Sequence, residues 1–340
     1  GASETVTFDM VQDTAGQWRI AEAPDGLILT SRQFQDQFRA VSLFFLSPDE
    51  TLLVPDPRWY PEANLPTSVM RGLLAGPAAW LRDAVRTEVP QGVTLTPESV
   101  TVGEDGQAEV DLGPAPLVQT ADRNLLVAQI EATLKQVTRV RSVVVRAGAD
   151  GPVLQGEVGL KPAGATDLPG GPEMIAQGGD GETLVALGTG QVAPVPGVGP
   201  LAGIDARHPA RSEDGSVRVL LSGPSVLALT PTADAPARPI LQAPGLAAPS
   251  VDRFDWVWTA SADTVFALDG VGAPVTMAAP WLADRQVTAV RVSRDGTRIA
   301  VASSGPDGAA VDVAGIARDD SGGPQQLSDD AQRVGAALTA

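Results

Sequence analysis

Asp-Gly pairs punctuate the second half of the chain, among them Asp180-Gly181, Asp214-Gly215 and Asp295-Gly296. Each of these three is followed by a strand-like run: Thr183–Leu187, Val217–Leu221 and Arg298–Ala302. The last two pairs lie 81 residues apart, and midway between them stands Phe254-Asp255-Trp256-Val257-Trp258, then Val265–Leu268. Asp-Gly between apolar runs is hairpin chemistry, because the tight turn needs positive φ at its central residues. A period near 40 residues with about four strands per unit marks a β-propeller. The stretch 175–340 is therefore expected to hold about four blades. The run Arg333–Leu338 reads as the first strand of another, so the propeller is expected to be truncated.

Upstream the pattern changes. Residues 40–150 read as one α/β unit. Val41–Leu46 and Thr51–Val54 are strands joined by the Ser47-Pro48-Asp49-Glu50 turn. Thr67 or Ser68 can cap a helix through about Ala75, and Gly76-Pro77 breaks it before a second helix carrying Trp80, Leu81 and Val85. Val93–Leu95, Ser99–Val102, Ala108–Leu112 and Arg141–Arg146 read as strands. Asp122 or Thr120 caps a helix with the stripe Leu126, Ile130, Leu134, Val137. Residues 1–39 read as a hairpin, with Phe8 and Met10 alternating with polar residues, then a short helical connector with Phe34 and Phe38 one turn apart. Gly 36 and Pro 29 in 340 residues exceed average usage. Much of the excess falls in 151–174, read as a linker.

Composition removes function classes. Net charge is −17 and no segment is basic, so nucleic acid is not an expected partner. There is no cysteine and the single histidine is His208, which leaves almost no material for thiol, His-triad or multi-His metal chemistry. No catalytic residue, metal or cofactor is expected. No apolar run reaches the roughly 20 residues of a membrane helix. The opening Gly1-Ala2-Ser3 resembles a cloning scar, so a native N-terminal segment is expected to be missing.

Few side chains stand out as sites. Trp59-Tyr60-Pro61 is read as a loop after the second strand, with Arg58 beside it; loop aromatics next to arginine suit a partner contact. Asp111, placed at a strand end before Gly113-Pro114, is a candidate ligand-binding carboxylate or a turn residue. His208 reads as a loop histidine between blades. Asp319-Asp320 and Asp329-Asp330 read as solvated loops, lacking calcium-site spacing. Trp256 and Trp258 read mainly as blade core, with stacking on a sugar or peptide as the other reading. Gly72 and Gly76 allow close helix packing.

Leu73-Leu74-Ala75-Gly76-Pro77, Pro90, Gly92-Val93, Val110-Asp111-Leu112, the Leu125–Val137 helix and Val143–Val145 together resemble the GerMN domain. The run Gln286–Val301, Val313-Ala314-Gly315-Ile316-Ala317-Arg318 and Pro324-Gln325-Gln326-Leu327 resemble the propeller of actinobacterial LpqB lipoproteins. The implied fold class is α/β plus all-β: a GerMN-type α/β domain at 40–150, a linker at 151–174 and a partial or complete β-propeller at 175–340, preceded by a short β-hairpin region at 1–39 left from an earlier domain. The resemblance implies a non-enzymatic lipoprotein on the outer face of the cytoplasmic membrane. Its implied partner is the extracellular domain of an MtrAB-type sensor histidine kinase, met through GerMN and propeller surfaces with Arg58, Trp59, Tyr60 and Asp111 as candidate binding residues. The lipid anchor is expected outside this chain, since the lipobox cysteine is absent. A peptidoglycan-binding module is the alternative, and a carboxylate-based wall hydrolase the third reading.

Overall fold

The computed structural model describes residues 7–22, 29–148, 151–156, 159–163, 172–178, 181–187, 191–199, 201–229, 236–270 and 273–334. The expected Asp180 turn residue and most of the expected strand at 333–338 lie outside the described residues.

The N-terminal hairpin is β1 (Asp9–Gln12) and β2 (Trp18–Glu22). Every residue of both strands is exposed, including Met10, Trp18 and Ile20, so the alternation there does not mark a buried face. Helix α1 (Ser31–Gln37) starts on a Thr30–Gln33 capping box.

A ribbon of β3 (Phe38–Leu46) and β4 (Leu53–Pro61) opens the α/β unit. Helix α2 (Leu65–Leu74) follows; it begins ahead of Thr67 because Pro66 fits its first turn. The expected second helix is a 3₁₀ segment, Ala79–Ala84. A mixed sheet then forms from β5 (Thr94–Leu95), β6 (Thr101–Val102), β7 (Gln107–Gly113), β8 (Ser142–Ala147) and β9 (Val153–Leu154). β7 and β8 are parallel, linked by α3 (Ala115–Val118) and α4 (Arg123–Leu134). β9 pairs β8, and the Leu53 amide donates to Lys161 O at 3.1 Å, so part of the stretch read as linker belongs to this unit. Asp122 caps α4 by accepting from the Asn124 and Leu125 amides. Leu126, Ile130 and Leu134 are fully buried in one core with Leu43, Phe45, Leu73, Val110 and Leu112.

Beside this stripe runs a polar row, of which Gln129 and Thr133 are fully buried. Gln129 Nε2 donates to Phe44 O (3.1 Å), Thr133 Oγ1 accepts from Phe44 N (3.0 Å), and Gln136 exchanges bonds with the Ser42 backbone. These side chains satisfy the open edge of β3, which would otherwise expose unpaired amides and carbonyls.

Four antiparallel sheets follow. The first is β10 (Glu173–Gly178), β11 (Gly181–Leu187) and β12 (Val192–Pro194). The second is β13 (Ala206–Arg211), β14 (Arg218–Ser222), β15 (Ser225–Leu229) and β16 (Arg238–Gln242). The third is β17 (Ser250–Val251), β18 (Val257–Ser261), β19 (Thr264–Leu268) and β20 (Val275–Met277). The fourth is β21 (Gln286–Val292), β22 (Arg298–Gly305), β23 (Gly308–Arg318) and β24 (Pro324–Leu327), with β25 (Gln332–Arg333) also on β23. Alternate residues of one strand enter different cores. Leu220 packs toward the first sheet with Leu184 and Ala206, while Val219 and Leu221 pack toward the third with Val257 and Leu268. Trp258 and Ala260 then join Val290, Ile299 and Val301 of the fourth. Sheets buried on both faces by their sequence neighbours are propeller blades.

The repeat also has a chemical basis. Ser212 Oγ donates to Asp214 Oδ1 (2.7 Å), which also accepts the Ser216 amide (2.9 Å), and Val217 N donates back to Ser212 Oγ (3.1 Å). Ser293, Asp295, Thr297 and Arg298 repeat this loop in the fourth blade. Ser212, Asp252 and Ser293 lie 40 and 41 residues apart. In the third blade the carboxylate itself stands at the serine position, and Asp252 Oδ1 accepts from the Phe254 and Trp256 amides.

These loops carry a pH prediction. The Ser216 amide and the Ser212 and Ser216 hydroxyls hold Asp214 down to about 2. Burial pushes the Asp295 carboxyl up, but Arg298 and the Ser293 and Thr297 hydrogen bonds more than offset it, and it stays below its ordinary value. Both are carboxylates depressed by folding. Their contribution is present above the unfolded pKa near 3.8 and is lost as pH falls through the folded one. Asp295→Asn should therefore be less stable than the parent above the ordinary carboxylate pKa of 3.8, and the gap should narrow as pH falls below it. Melting temperatures of both proteins against pH check this; a gap that stays constant as pH falls would refute it.

Candidate interaction site

The ribbon places the aromatic candidates differently from a loop. Arg58, Trp59 and Tyr60 are consecutive residues of β4, so successive side chains face opposite ways. Asp56, Arg58 and Tyr60 face inward, and Pro55, Pro57, Trp59 and Pro61 outward. The prolines lack donors, which suits a strand paired on one side only.

The inward side is structural. Asp56 is buried, and its Oδ2 accepts from Arg58 Nη2 (2.7 Å) and from the Ala78 amide (3.0 Å). Arg58 Nη2 also donates to Gly76 O at 2.7 Å. The pair thus pins the Gly76-Pro77-Ala78 turn that launches the 3₁₀ segment. Tyr60 is half-buried against α2: a Cβ on Gly72 would lie 2.0 Å from its hydroxyl. Burial pushes the Tyr60 phenol up, against the pull of the Arg58 guanidinium. Arg58 is thus turned onto Asp56 and Gly76, and the Tyr60 hydroxyl is buried.

Trp59 is 55% exposed. Its ring meets Phe34 of α1 at 5.0 Å and a 58° tilt, and Phe34 stacks on Phe38 at 4.7 Å. The Arg39–Glu62 ion pair (2.7 Å) borders this cluster. Phe34 is the residue that the sequence reading placed only in a connector. The signal was the i, i+4 phenylalanine pair, but its contact with Trp59 depends on the ribbon folding back.

Asp111 is not at a strand end. It lies within β7 directly opposite Arg146 of the parallel β8, with the carboxylate 3.5 Å from the guanidinium. It is an inter-strand ion pair, separate from the aromatic cluster. His208 is likewise no loop residue: it belongs to β13, at a bulge and with φ 50°. Trp258 is fully buried and its Nε1 donates to Asp252 Oδ2 (2.7 Å), which fits blade core and not a stacking platform. Asp319 closes its own turn through the Ser321 and Gly323 amides, and Asp320 pairs with Arg86 at 2.6 Å.

The α/β unit is docked on the blades. The 3₁₀ segment lies against β23, where a Cβ on Gly315 would stand 2.6 Å from Trp80 O and 3.0 Å from the Ala84 methyl. Arg253 pairs with Asp49 (3.0 Å) and donates to Thr51 Oγ1 (3.0 Å), and Arg298 Nη1 donates to Pro55 O (3.1 Å).

The family described as "Sporulation and spore germination" matches residues 42–151 by its family model, and the "Lipoprotein LpqB beta-propeller domain" matches residues 182–340. Over most of its length the chain is similar to LpqB lipoproteins. A Lipoprotein LpqB of Thermobifida fusca is 28% identical over 94% of this chain and 60% of its own length. One from Mycobacterium ulcerans is 27% identical over 86% of this chain and 55% of its own, and one from Rhodococcus opacus 36% identical over 35% and 22%. The chain thus spans about three fifths or less of these relatives. The tandem GerMN domains of the sporulation protein GerM from Bacillus subtilis share 15% identity at TM-score 0.26, covering 44% of this chain and 59% of that one. The family architecture, a GerMN-type α/β domain followed by an all-β propeller region, agrees with the sheets described above.

Proposed function

We propose that this chain is part of a non-enzymatic cell-envelope lipoprotein that binds the extracellular domain of an MtrAB-type two-component sensor kinase and modulates its signalling. The supporting observation is the exposed Trp59 ring, seated on the half-buried Phe34–Phe38 pair at the outer face of the ribbon. Large aromatic side chains at a surface are what protein interfaces use as anchors. The docked propeller adds a second surface beside it. On this reading the protein works at the outer face of the cytoplasmic membrane, held there by a lipid on a cysteine that these 340 residues do not contain.

The test is binding of the purified chain to the kinase's extracellular domain by biolayer interferometry. Trp59→Ala should weaken binding by about tenfold or more, the scale of an aromatic anchor, with the melting temperature little changed. No binding by the parent, or equal binding by the variant, would defeat the proposal. Retention on purified peptidoglycan with no kinase binding would favour the wall-polymer reading instead.

A further inference from the structure

The first strands of the four blades, β10, β13, β17 and β21, neighbour one another in turn. Between them lies a cavity of about 440 Å³, lined by residues of all four blades. Its charged and titratable groups come from three strands: Glu173 on β10, Arg207 and His208 on β13, and Arg291 on β21.

The charge balance in this cavity is opposite to that of the whole chain. Glu173 is already neutralised, with its carboxylate 3.0 Å from Arg218 and 3.5 Å from Arg211. Arg291 spends only Nη1, on the backbone carbonyls of Pro249 and Val290 (both 3.1 Å). Its Nε and Nη2 have no partner among the described residues, nor does the His208 imidazole. Arg207 touches Asp205 at 3.0 Å, and both side chains are more than half exposed, so that pair is weak and exchangeable.

The backbone here is also unusual. β13 bulges between Arg207 and Ala210, and His208 sits in the left-handed region at φ 50°. A bulge re-aims a side chain, and left-handed backbone at a non-glycine residue costs free energy that the fold must cover. Here the bulge leaves both Arg207 and His208 on the cavity. In a regular strand, neighbouring side chains would point to opposite faces.

We propose that this cavity is a binding site for a small multivalent oxyanion, one bearing two or more carboxylate or phosphate groups. Arg291 supplies a fork of unspent donors from one side, and Arg207 and His208 donate from the other. A cavity of this size is within the range of small-ligand sites, and guanidinium groups match both oxyanion types in geometry. The site is independent of the aromatic cluster and of the kinase reading.

Isothermal titration calorimetry of the whole chain tests it, with citrate as the carboxylate probe and pyrophosphate as the phosphate probe. Saturable binding of either supports the site, and the probe that binds tighter identifies the chemistry. Arg291→Gln should weaken that binding about tenfold or more. His208→Asn, which keeps a side chain tolerant of positive φ, should weaken it less. Arg123→Gln, on α4 of the other unit, should leave it unchanged. If Arg291→Gln does not fold, Arg207→Gln takes its place with the same expectation. No binding of either probe at millimolar concentration, or undiminished binding by the cavity variants, overturns the proposal.

Discussion

Arg318→Ala should lower the unfolding free energy by about 3–5 kcal/mol, the cost of leaving a buried charge without its partner. The Arg318 and Asp252 side chains are both wholly inaccessible and 2.5 Å apart. Arg318 also donates to Gly296 O (2.9 Å) and Gly322 O (2.7 Å), and its guanidinium lies 4.6 Å from the Phe254 ring centre. Asp252 is bound from its own side by the Trp258 indole and two amides. Burial pulls the Arg318 pKa down, and the attraction of Asp252 opposes that pull. The cation therefore ties the third blade to the fourth. Alanine would leave the Asp252 carboxylate dry and two carbonyls without donors. Urea unfolding of both proteins measures the difference. Arg253→Ala is the contrast: that arginine lies against the same ring at 5.1 Å, but its pair with Asp49 is partly solvated, and about 0–1 kcal/mol is expected. A loss under about 1 kcal/mol for Arg318→Ala would show that the pair does not hold the blades together.

Gly315→Val should separate the α/β unit from the propeller. The new Cβ would meet Trp80 O at 2.6 Å, the Ala84 methyl at 3.0 Å and Leu81 Cα at 3.5 Å. Two of these are backbone atoms of a 3₁₀ segment that Asp56 and Arg58 pin from behind, so neither side can yield cheaply. Overpacking of this kind costs about 1–3 kcal/mol. Here that cost falls on one interface, so the expected result is undocking: two calorimetric transitions in place of one, and new protease cleavage between 151 and 174. A variant with the parent's single transition and cleavage pattern would refute the close approach at Gly315. The Trp59 cluster lies on the other face of the ribbon. The variant should therefore still bind through it, which separates docking from recognition.

Much of the fold was legible in the sequence because it rests on local chemistry. The propeller was readable from Asp214-Gly215 and Asp295-Gly296, since each sits in a loop closed by its own serine and carboxylate. The third blade was the hardest, because Asp252 replaces the serine and the loop between its first two strands holds no Asp-Gly. The apolar stripe of α4 was readable at helical spacing, but not the role of Gln129, Thr133 and Gln136. Gln129 and Thr133 are buried, and with Gln136 they turn onto the edge of β3, a partner about 90 residues away. The candidate site was the least legible part. Prolines at 55, 57 and 61 argued for a loop, and nothing local shows that a strand paired on one side tolerates them.

By itself, then, the sequence determined the order of the units, the blade period and the α4 core, because turn chemistry and hydrophobic spacing act within a few residues. Tertiary structure alone decided which of three neighbours, Arg58, Trp59 and Tyr60, faces solvent. It also put His208 on a cavity lined by four blades and placed Gly315 against the 3₁₀ segment. Those outcomes depend on strand pairing and on contacts between residues far apart in the chain, for which no short-range pattern exists.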